Sequence, residues 1–417
     1  MSCDLKGGPD LVFPVSGLSY KIKDLSTRSA RSIYDHARIR LDREDGEEIH
    51  QTVDDWEPAL IEFDGVVENR YAYRKGSIKT TRKSARLTIY EARKVLDQGV
   101  LTNQYDTVTV SEVMDFAIDN RKDPYNIITG WEAAGESGSQ TVESIDSIGL
   151  IGTLGGIASE FLAALGLMRE AEFRGIEIED ETPSQVIARI ENMFGLTTWV
   201  ETDGTFVIGQ PEAVPKNYHS VSGDPMDSSY AMKSYHVLEG SFPLTLVKLT
   251  GETHWFGGAG IDTTQLYPMA EASIVDSETR EVKQGSNFVP EEPVNIFELE
   301  SLETAAKNIL ISELMKYESG TVVFNGAASD EKAKLANMSF GDMIYVDPQI
   351  SDYCKTVADG GLYTVTEVQH KVSTRQGWKI TAEVALIPRP DEIETTAFYY
   401  NPEDDEAYTE MPSYQNN

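Results

Sequence analysis

The chain has 417 residues, of which 36 are Lys or Arg and 69 are Asp or Glu, so its formal net charge is −33. Self-repulsion of this size costs stability at ordinary salt, but molar salt screens it because the Debye length falls to about 3 Å. The composition therefore predicts a halophilic source and thermal stability that rises with salt, with an acidic mesophilic protein as the alternative. It argues against sequence-specific nucleic-acid binding, which uses a basic surface.

The residues that usually carry catalysis or bind metals form no known pattern in this sequence. Cys3 and Cys354 give neither a disulfide framework nor zinc-ligand spacing, and no two of the six histidines have helical metal-site spacing. No nucleophile elbow, P-loop or dinucleotide fingerprint occurs. The charged opening of the chain is not a signal peptide. We therefore expect no enzymatic activity, no cofactor and no bound metal.

The N-terminal quarter of the chain is predicted to be β-rich. Residues 37–41 and 84–90 alternate between apolar and polar side chains, and 59–67 reads as a strand interrupted by an Asp-Gly turn. Strands at this spacing indicate a barrel or a sandwich.

A basic stretch stands out within this β-rich region. Residues 70–94 contain nine basic residues and one acidic residue, Glu91. Two interpretations stay open: a solvated strand face, or a docking face for an acidic neighbour, with Arg82, Lys83 and Arg86 as the candidate contacts.

Two capped helices mark the middle of the chain. Thr109 and Glu112 have capping-box spacing, and so do Thr182 and Gln185, where a proline also occupies the first helical position. The second helix carries an apolar face and should end at Gly195. Two β-rich runs around an Asp-Gly pair follow it, which predicts a tight hairpin. We expect the two helices to pack against each other.

The C-terminal part is predicted to be a second β region. Residues 235–250 have strand character, 301–317 form an amphipathic helix, and 321–324, 343–346, 362–371 and 379–386 read as strands. Residues 391–417 contain eight acidic and no basic residues, which predicts a tail that is disordered alone or ordered on a partner.

The order of these parts resembles the tail hub proteins of tailed viruses. Four places carry the resemblance: the FDGVV stretch at 63–67, the capped helix and hairpin at 182–209, the LVKLTG strand at 246–251, and the run from 340 to 370. That run contains FGDMIYV, then GLYTV, then VQH, similar to the family's second-barrel ending. Together with the acidic composition, the resemblance indicates a haloarchaeal tailed virus.

The resemblance implies an α+β, mainly β fold with two similar β-barrel domains flanking an α+β domain. The predicted domains are a first barrel at 1–108, a middle domain at 109–215 with an apolar helical insertion at 149–168, a second barrel at 216–388 that includes the helix 301–317, and an acidic tail at 389–417.

The family's function implies a structural virion protein of the tail tip or baseplate. It would form a homotrimeric ring at the distal end of the tail tube and take part in tail assembly and genome ejection. Its partners would be the tail tube or distal tail ring protein, the tape-measure protein, and receptor-binding or fibre proteins. His370 matches the family's histidine, which we interpret as a strand residue and not a catalytic one. Nothing after the second barrel reads as a lysin, needle or fibre.

The segment 149–168 departs from the family pattern, because it is almost wholly apolar. In a helix its small residues, including Gly152 and Gly156, would lie on one side and its large residues, including Phe161, on another. Three interpretations stay open: a buried helix, a helix bundle that narrows the lumen at the ring axis, and a segment that enters the host membrane during ejection.

Two other functions are compatible with the sequence. One is a surface-binding protein or adhesin of a halophile, which a secretion signal upstream in the gene would favour. The other is a tail lysin, which requires a positioned nucleophile or metal site that the motifs do not show.

Overall fold

The computed structural model describes the following parts of the chain: residues 9–30, 36–63, 66–133, 172–200, 204–209, 218–222, 228–239, 244–251, 254–256, 264–276, 279–290, 292–294, 296, 298–314, 318–347, 361–373, 377–386, 392–402 and 406–409. The apolar segment 149–168, with Gly152, Gly156 and Phe161, lies outside these residues, so its three interpretations stay predictions.

The N-terminal region is a run of strands with one short helix. The strands are β1 (Asp10–Phe13), β2 (Leu18–Lys21), β3 (Asp24–Ser26), β4 (Ser29–Ala30), β5 (His36–Leu41), β6 (Pro58–Phe63), β7 (Val66–Thr80) and β8 (Ala85–Glu91). Helix α1 (Arg43–Thr52) follows β5, and a 3-10 helix (Ala92–Asp97) follows β8. The strands predicted at 37–41, 59–67 and 84–90 are confirmed as β5, as β6 leading into β7, and as β8.

The middle region contains both predicted helices and the hairpin. Its elements are β9 (Leu101–Thr109), α2 (Val110–Asp119), β10 (Gly130–Ala133), β11 (Glu172–Glu181), α3 (Pro183–Phe194), β12 (Thr197–Val200) and β13 (Thr205–Gly209). Both capping boxes are formed, and α2 contacts α3 as expected. Strands β12 and β13 pair antiparallel, which confirms the hairpin, while β10 adds to β13 in parallel.

The remaining elements complete the mainly β architecture. They are β14 (Tyr218–Val221), β15 (Met232–Glu239), β16 (Leu244–Thr250), β17 (His254–Phe256), β18 (Thr264–Ile274), β19 (Ser286–Phe288), α4 (Leu299–Leu314), β20 (Glu318–Asn325), α5 (Lys332–Ala336), β21 (Met343–Val346), β22 (Leu362–Ser373), β23 (Gly377–Leu386), β24 (Ile393–Asn401) and β25 (Glu406–Tyr408). The predicted fold class, α+β and mainly β, is confirmed.

One fourteen-stranded sheet joins the two ends of the chain. In it β22 pairs antiparallel with β3, so strands from the predicted first and second barrels are hydrogen-bonded neighbours. Apolar side chains of both sets share one buried cluster, which includes Phe13, Tyr73, Phe324 and Tyr363. The sheet therefore brings residues that are distant in sequence onto one surface.

A second buried cluster unites the middle region with the six-stranded sheet of β16 to β19, β24 and β25. Side chains from α2, α3 and α4 meet there, for example Val113, Phe194 and Leu310, together with Val247 of β16. The clusters do not follow the predicted ranges one to one, and the domain boundaries stay predictions.

The acidic C-terminal segment corrects the prediction of a tail. Strand β24 pairs antiparallel along β18 from Ile274↔Ile393 to Tyr267↔Tyr400, and Tyr399 is buried. Ile393 and Ala397 pack against the second buried cluster. The prediction was wrong for residues 393–401, because the apolar and aromatic side chains of this stretch pair and pack despite the acidic composition of the segment.

Gly195 allows α3 to approach α4 closely. Its φ is +63°, and a Cβ at this position would lie 2.9 Å from the Ile309 amide nitrogen in α4. Gly377 has a similar φ of +70° but has open space around it. Both glycines satisfy the left-handed conformation, but only Gly195 also permits a helix contact.

This pair gives a matched test of the α3–α4 contact. Gly377→Ala should cost about 1–2 kcal/mol of unfolding free energy, which is the left-handed strain alone. Gly195→Ala should cost about 2–4 kcal/mol, because overpacking against the α4 backbone adds to the strain. Urea unfolding of both variants measures the difference in unfolding free energy. Equal losses of unfolding free energy would show that the α4 backbone at Ile309 moves away from the new methyl group at no cost.

Candidate functional site

The β7–β8 hairpin presents two of the three predicted docking residues at its tip. Arg82 and Lys83 lie in the turn between the strands, and both are exposed. The Thr81 amide and hydroxyl both donate to the Ser84 carbonyl at 2.8 Å, which fixes the turn through main-chain and threonine groups. We call Arg82 and Lys83 the hairpin tip. The tip is an exposed cationic projection, and the hydrogen bonds that hold its turn do not involve the two charged side-chain groups.

Arg86 lies in β8, three residues after Lys83, on the outward surface of the large sheet. It is the direct cross-strand partner of Lys79 in β7 and of Arg40 in β5. The inward neighbours Ala85 and Leu87 are buried, so the strand alternation points Arg86 to the outside. Three cationic side chains therefore follow one another across three strands.

A second cationic row runs across the same surface and joins strands from the two ends of the chain. Arg38 of β5 pairs with Ser26 of β3, Ser26 with Lys371 of β22, and Lys371 with Lys379 of β23. We call the surface formed by the two rows the basic face, and its cationic members are Arg38, Arg40, Lys79, Arg86, Lys371 and Lys379. Sequence reasoning missed four of them, although the alternation of β5 already puts Arg38 and Arg40 on one side.

Two carboxylates among the described residues act on the basic face: Asp24 and Glu367, of which Glu367 interacts electrostatically with Lys371. Asp24, between Ser373 and Arg40 in the cross-strand order, forms an ion pair of 2.7 Å with Arg40. Beyond this pair the rows place like charges directly opposite each other, an arrangement that destabilises a sheet.

The end of the basic stretch is buried and structural. Arg93 donates to both carboxylate oxygens of Glu91, with 2.9 Å between Nη2 and Oε2, and its Nη1 donates to the Thr198 carbonyl. The hydroxyl of Thr198 in turn donates to Glu191 of α3 at 2.7 Å. For Arg93, therefore, neither the solvated-face interpretation nor the docking interpretation is correct, because the side chain joins the N-terminal sheet to the middle region.

The FGD part of the resemblance motif supports a buried hydrogen-bond network. Asp342 accepts from the Ser339 amide at 2.9 Å and lies 3.1 Å from His219 Nε2, while the Tyr230 hydroxyl is 3.4 Å from His219 Nδ1. His219 and Asp342 are fully buried. These groups hold β14 beside β21 and have no exposure through which to meet a substrate.

His370, the histidine of the resemblance, is also buried. Its Nε2 lies 3.3 Å from the Met338 carbonyl, and its ring stacks on Trp378 with 6.2 Å between centroids. Burial lowers the pKa of His370 from 6.5 to about 4, because the imidazolium would lose its hydration, while the bond to Met338 acts weakly in the other direction. The side chain is neutral at physiological pH and belongs to the core.

The described ranges contain neither a metal-binding cluster nor a membrane-spanning helix. Within them, no three His, Cys, Asp or Glu side chains converge in a way that would hold a metal ion. No helix there is both long and apolar enough to cross a membrane. What the described surface offers chemically is the hairpin tip and the basic face.

The fold is that of phage and prophage tail proteins. A tail protein from Neisseria meningitidis MC58 superposes with a TM-score of 0.57 and 14% sequence identity, over 92% of this chain and 99% of that one. The 43 kDa tail protein of prophage MuSo2 from Shewanella oneidensis gives 0.54 and 12%, over 92% and 98%. No protein-family model matches the sequence. No curated protein matches it either.

Proposed function

We propose that this chain is a structural protein of a viral tail, a hub that forms a ring at the distal end of the tail tube. The observation that carries the proposal is the agreement of fold over nearly the whole of both chains with two tail proteins, at TM-scores above 0.5. An agreement that covers more than nine tenths of each chain favours a shared architectural role over a single shared module.

Within this proposal the large sheet is the part that meets the tail. The strands of this sheet that lie within residues 1–108 and within residues 216–388 act as two similar barrel-like units, so that three copies present six of them to a hexameric tube. The partners are the tube or distal ring protein, the tape-measure protein and, on the outer side, receptor-binding or fibre proteins. The role is structural and not enzymatic, and the protein is located in the virion at the tail tip or baseplate.

The charge balance supports a halophilic source for such a particle. A net charge of −33 is tolerated where molar salt screens repulsion between surface carboxylates. In a chain with this net charge, an exposed cationic projection is distinctive. We propose that the hairpin tip provides the contact to the tail ring protein.

Reversing the hairpin tip tests this docking role. Arg82→Glu/Lys83→Glu should reduce attachment of the hub to the tail by about tenfold or more, since unlike charges across the contact become like charges. The variant should remain folded, because main-chain and threonine bonds hold the turn. Complementation of a virus that lacks the gene, with tailed particles counted by electron microscopy, provides the measurement.

A matched control has the same change in net charge. Lys332→Glu/Lys334→Glu in α5 reverses two exposed lysines away from the large sheet's outward surface. We expect normal particle numbers with this control. Normal assembly by the tip variant as well would contradict docking through the tip.

A further inference from the structure

The basic face contains like charges that lie directly opposite each other on neighbouring strands. Arg86 lies directly opposite both Lys79 and Arg40, and Lys371 lies directly opposite Lys379. Directly opposed residues have Cβ atoms about 4.5–5.5 Å apart, and like charges at that distance oppose sheet formation. Asp24 offsets the charge of Arg40, and Glu367, which also pairs with Arg28, offsets part of the charge of Lys371. Opposed like charges on an outward face destabilise the sheet unless a countercharge meets them. Contact with an acidic surface in the assembled state would supply that countercharge.

A matching acidic surface exists on the same chain. Strands β9 and β11 form a two-stranded ribbon in which Tyr105 opposes Ile176 on the inner side and Gln104 opposes Glu177 on the outer side. Asp106 and Glu177 are exposed on that outer side, and Glu179 is exposed at the register shift that follows Ile178. We call these three carboxylates the acidic ribbon.

The two surfaces share the geometry of β-structure. Neighbouring strands lie about 4.8 Å apart, and alternate residues on one strand lie about 6.6 Å apart, in the acidic ribbon as in the large sheet. Rows of carboxylates at these spacings can face rows of guanidinium and ammonium groups at the same spacings. Asp106 and Glu177 lie in the regular part of the ribbon, where this spacing holds, and Glu179 lies next to it at the register shift.

We propose that the basic face of one copy packs against the acidic ribbon of the next copy, so that the chain associates head to tail. A contact between two different patches generates a ring when its rotation closes. This inference rests on the ring in the proposed function and names the surfaces through which its subunits meet. The hairpin tip remains outside this contact and is left for the tail.

Nucleic acid is the competing occupant of a basic face. The net charge of −33 repels a polyanion at long range, and six cations on one surface do not reverse it. A second copy brings only a local acidic patch into contact with the basic face, and the matched spacing favours that patch. Binding of the basic face to DNA without self-association is therefore an outcome that would overturn the proposal.

The test uses two charge-reversed variants of the full chain. In the face variant, Arg86→Glu/Lys371→Glu, each new carboxylate lies opposite existing cations, so the variant should fold at least as well as the parent. The ribbon variant is Glu177→Lys/Glu179→Lys. Sedimentation velocity over a concentration series, in a buffer where circular dichroism shows every variant folded, reports the association constant.

We expect the parent chain to associate and each variant to associate about a hundredfold more weakly. The chain that carries both sets of changes should have an association constant about tenfold higher than that of the ribbon variant, because opposite charges again face each other. The tip variant Arg82→Glu/Lys83→Glu has the same net charge as the face variant and should associate like the parent. This control separates the specific contact from net charge.

Three results would overturn the inference. They are a parent chain that stays monomeric at every concentration, association that neither variant weakens, and a combined variant that associates no better than the ribbon variant. A mobility-shift measurement with double-stranded DNA identifies the nucleic-acid outcome. These measurements use the isolated protein, so a result against self-association would not bear on whether the chain is located in the tail. Conversely, evidence against a tail location would not change a measured self-association.

Discussion

Arg93→Met is expected to lower the free energy of unfolding by about 3–5 kcal/mol. Arg93 is 7% exposed and Glu91 is 8% exposed, so the substitution takes the guanidinium away from a buried carboxylate. The Thr198 carbonyl loses its donor from Arg93 in the same step. Methionine retains much of the buried aliphatic volume, so the loss reports the polar network and not a cavity. Urea unfolding followed by far-ultraviolet circular dichroism measures it.

Two comparison variants make the Arg93 result specific. Arg86→Met removes an exposed cation from the same basic stretch and should change stability by less than about 0.5 kcal/mol, or raise it slightly, because like-charge repulsion is relieved. Adding Glu91→Leu to Arg93→Met should recover part of the loss, since no buried charge then remains. A loss below about 1 kcal/mol for Arg93→Met would show that the network does not join the N-terminal sheet to the middle region.

His370 is expected to make the protein sensitive to mild acid by about 3 kcal/mol. The pKa of its imidazole is near 6.5 in the unfolded chain and about 4 in the folded chain. The unfolded state therefore takes up a proton as pH falls below 6.5, whereas the folded state does not until about pH 4. Stability contributed by the neutral side chain is complete above pH 6.5 and is lost as pH falls through this window.

The variant His370→Gln isolates this contribution. Glutamine keeps a donor for the Met338 carbonyl but does not titrate, so the variant should be less stable than the parent at pH 7 and should approach it at pH 4.5. His50→Gln, which replaces an exposed histidine on α1, should follow the pH dependence of the parent. Urea unfolding at a series of pH values gives the two slopes. Parallel curves for the parent and His370→Gln would contradict a neutral buried imidazole.

Local chemistry made much of the fold predictable from the sequence. The capping boxes at Thr109 and Thr182, the left-handed glycine at 195 and the β12–β13 hairpin each depend on residues within a few positions of one another. Helix α4 shows its apolar stripe within its own sixteen residues. These local preferences are realised in the folded chain because the tertiary packing is consistent with them.

The parts that escaped prediction depend on long-range pairing or on burial. The second row of the basic face exists only because β22 pairs with β3, which brings Lys371 level with Ser26 and, one strand further, with Arg38. No spacing along the chain reveals that neighbourhood. Arg93 lies in the same basic stretch as Arg86, yet one is buried and the other exposed, because the 3-10 helix after β8 turns the chain inward.

High-resolution cryo-electron microscopy of the intact particle tests the central claim most directly. The account predicts a ring of copies of this chain at the distal end of the tail tube, with the large sheet towards the tube and the hairpin tips against the terminal tube or ring protein. Density for the chain in fibres, in the capsid or on a cell surface, or its absence from purified particles, would contradict it.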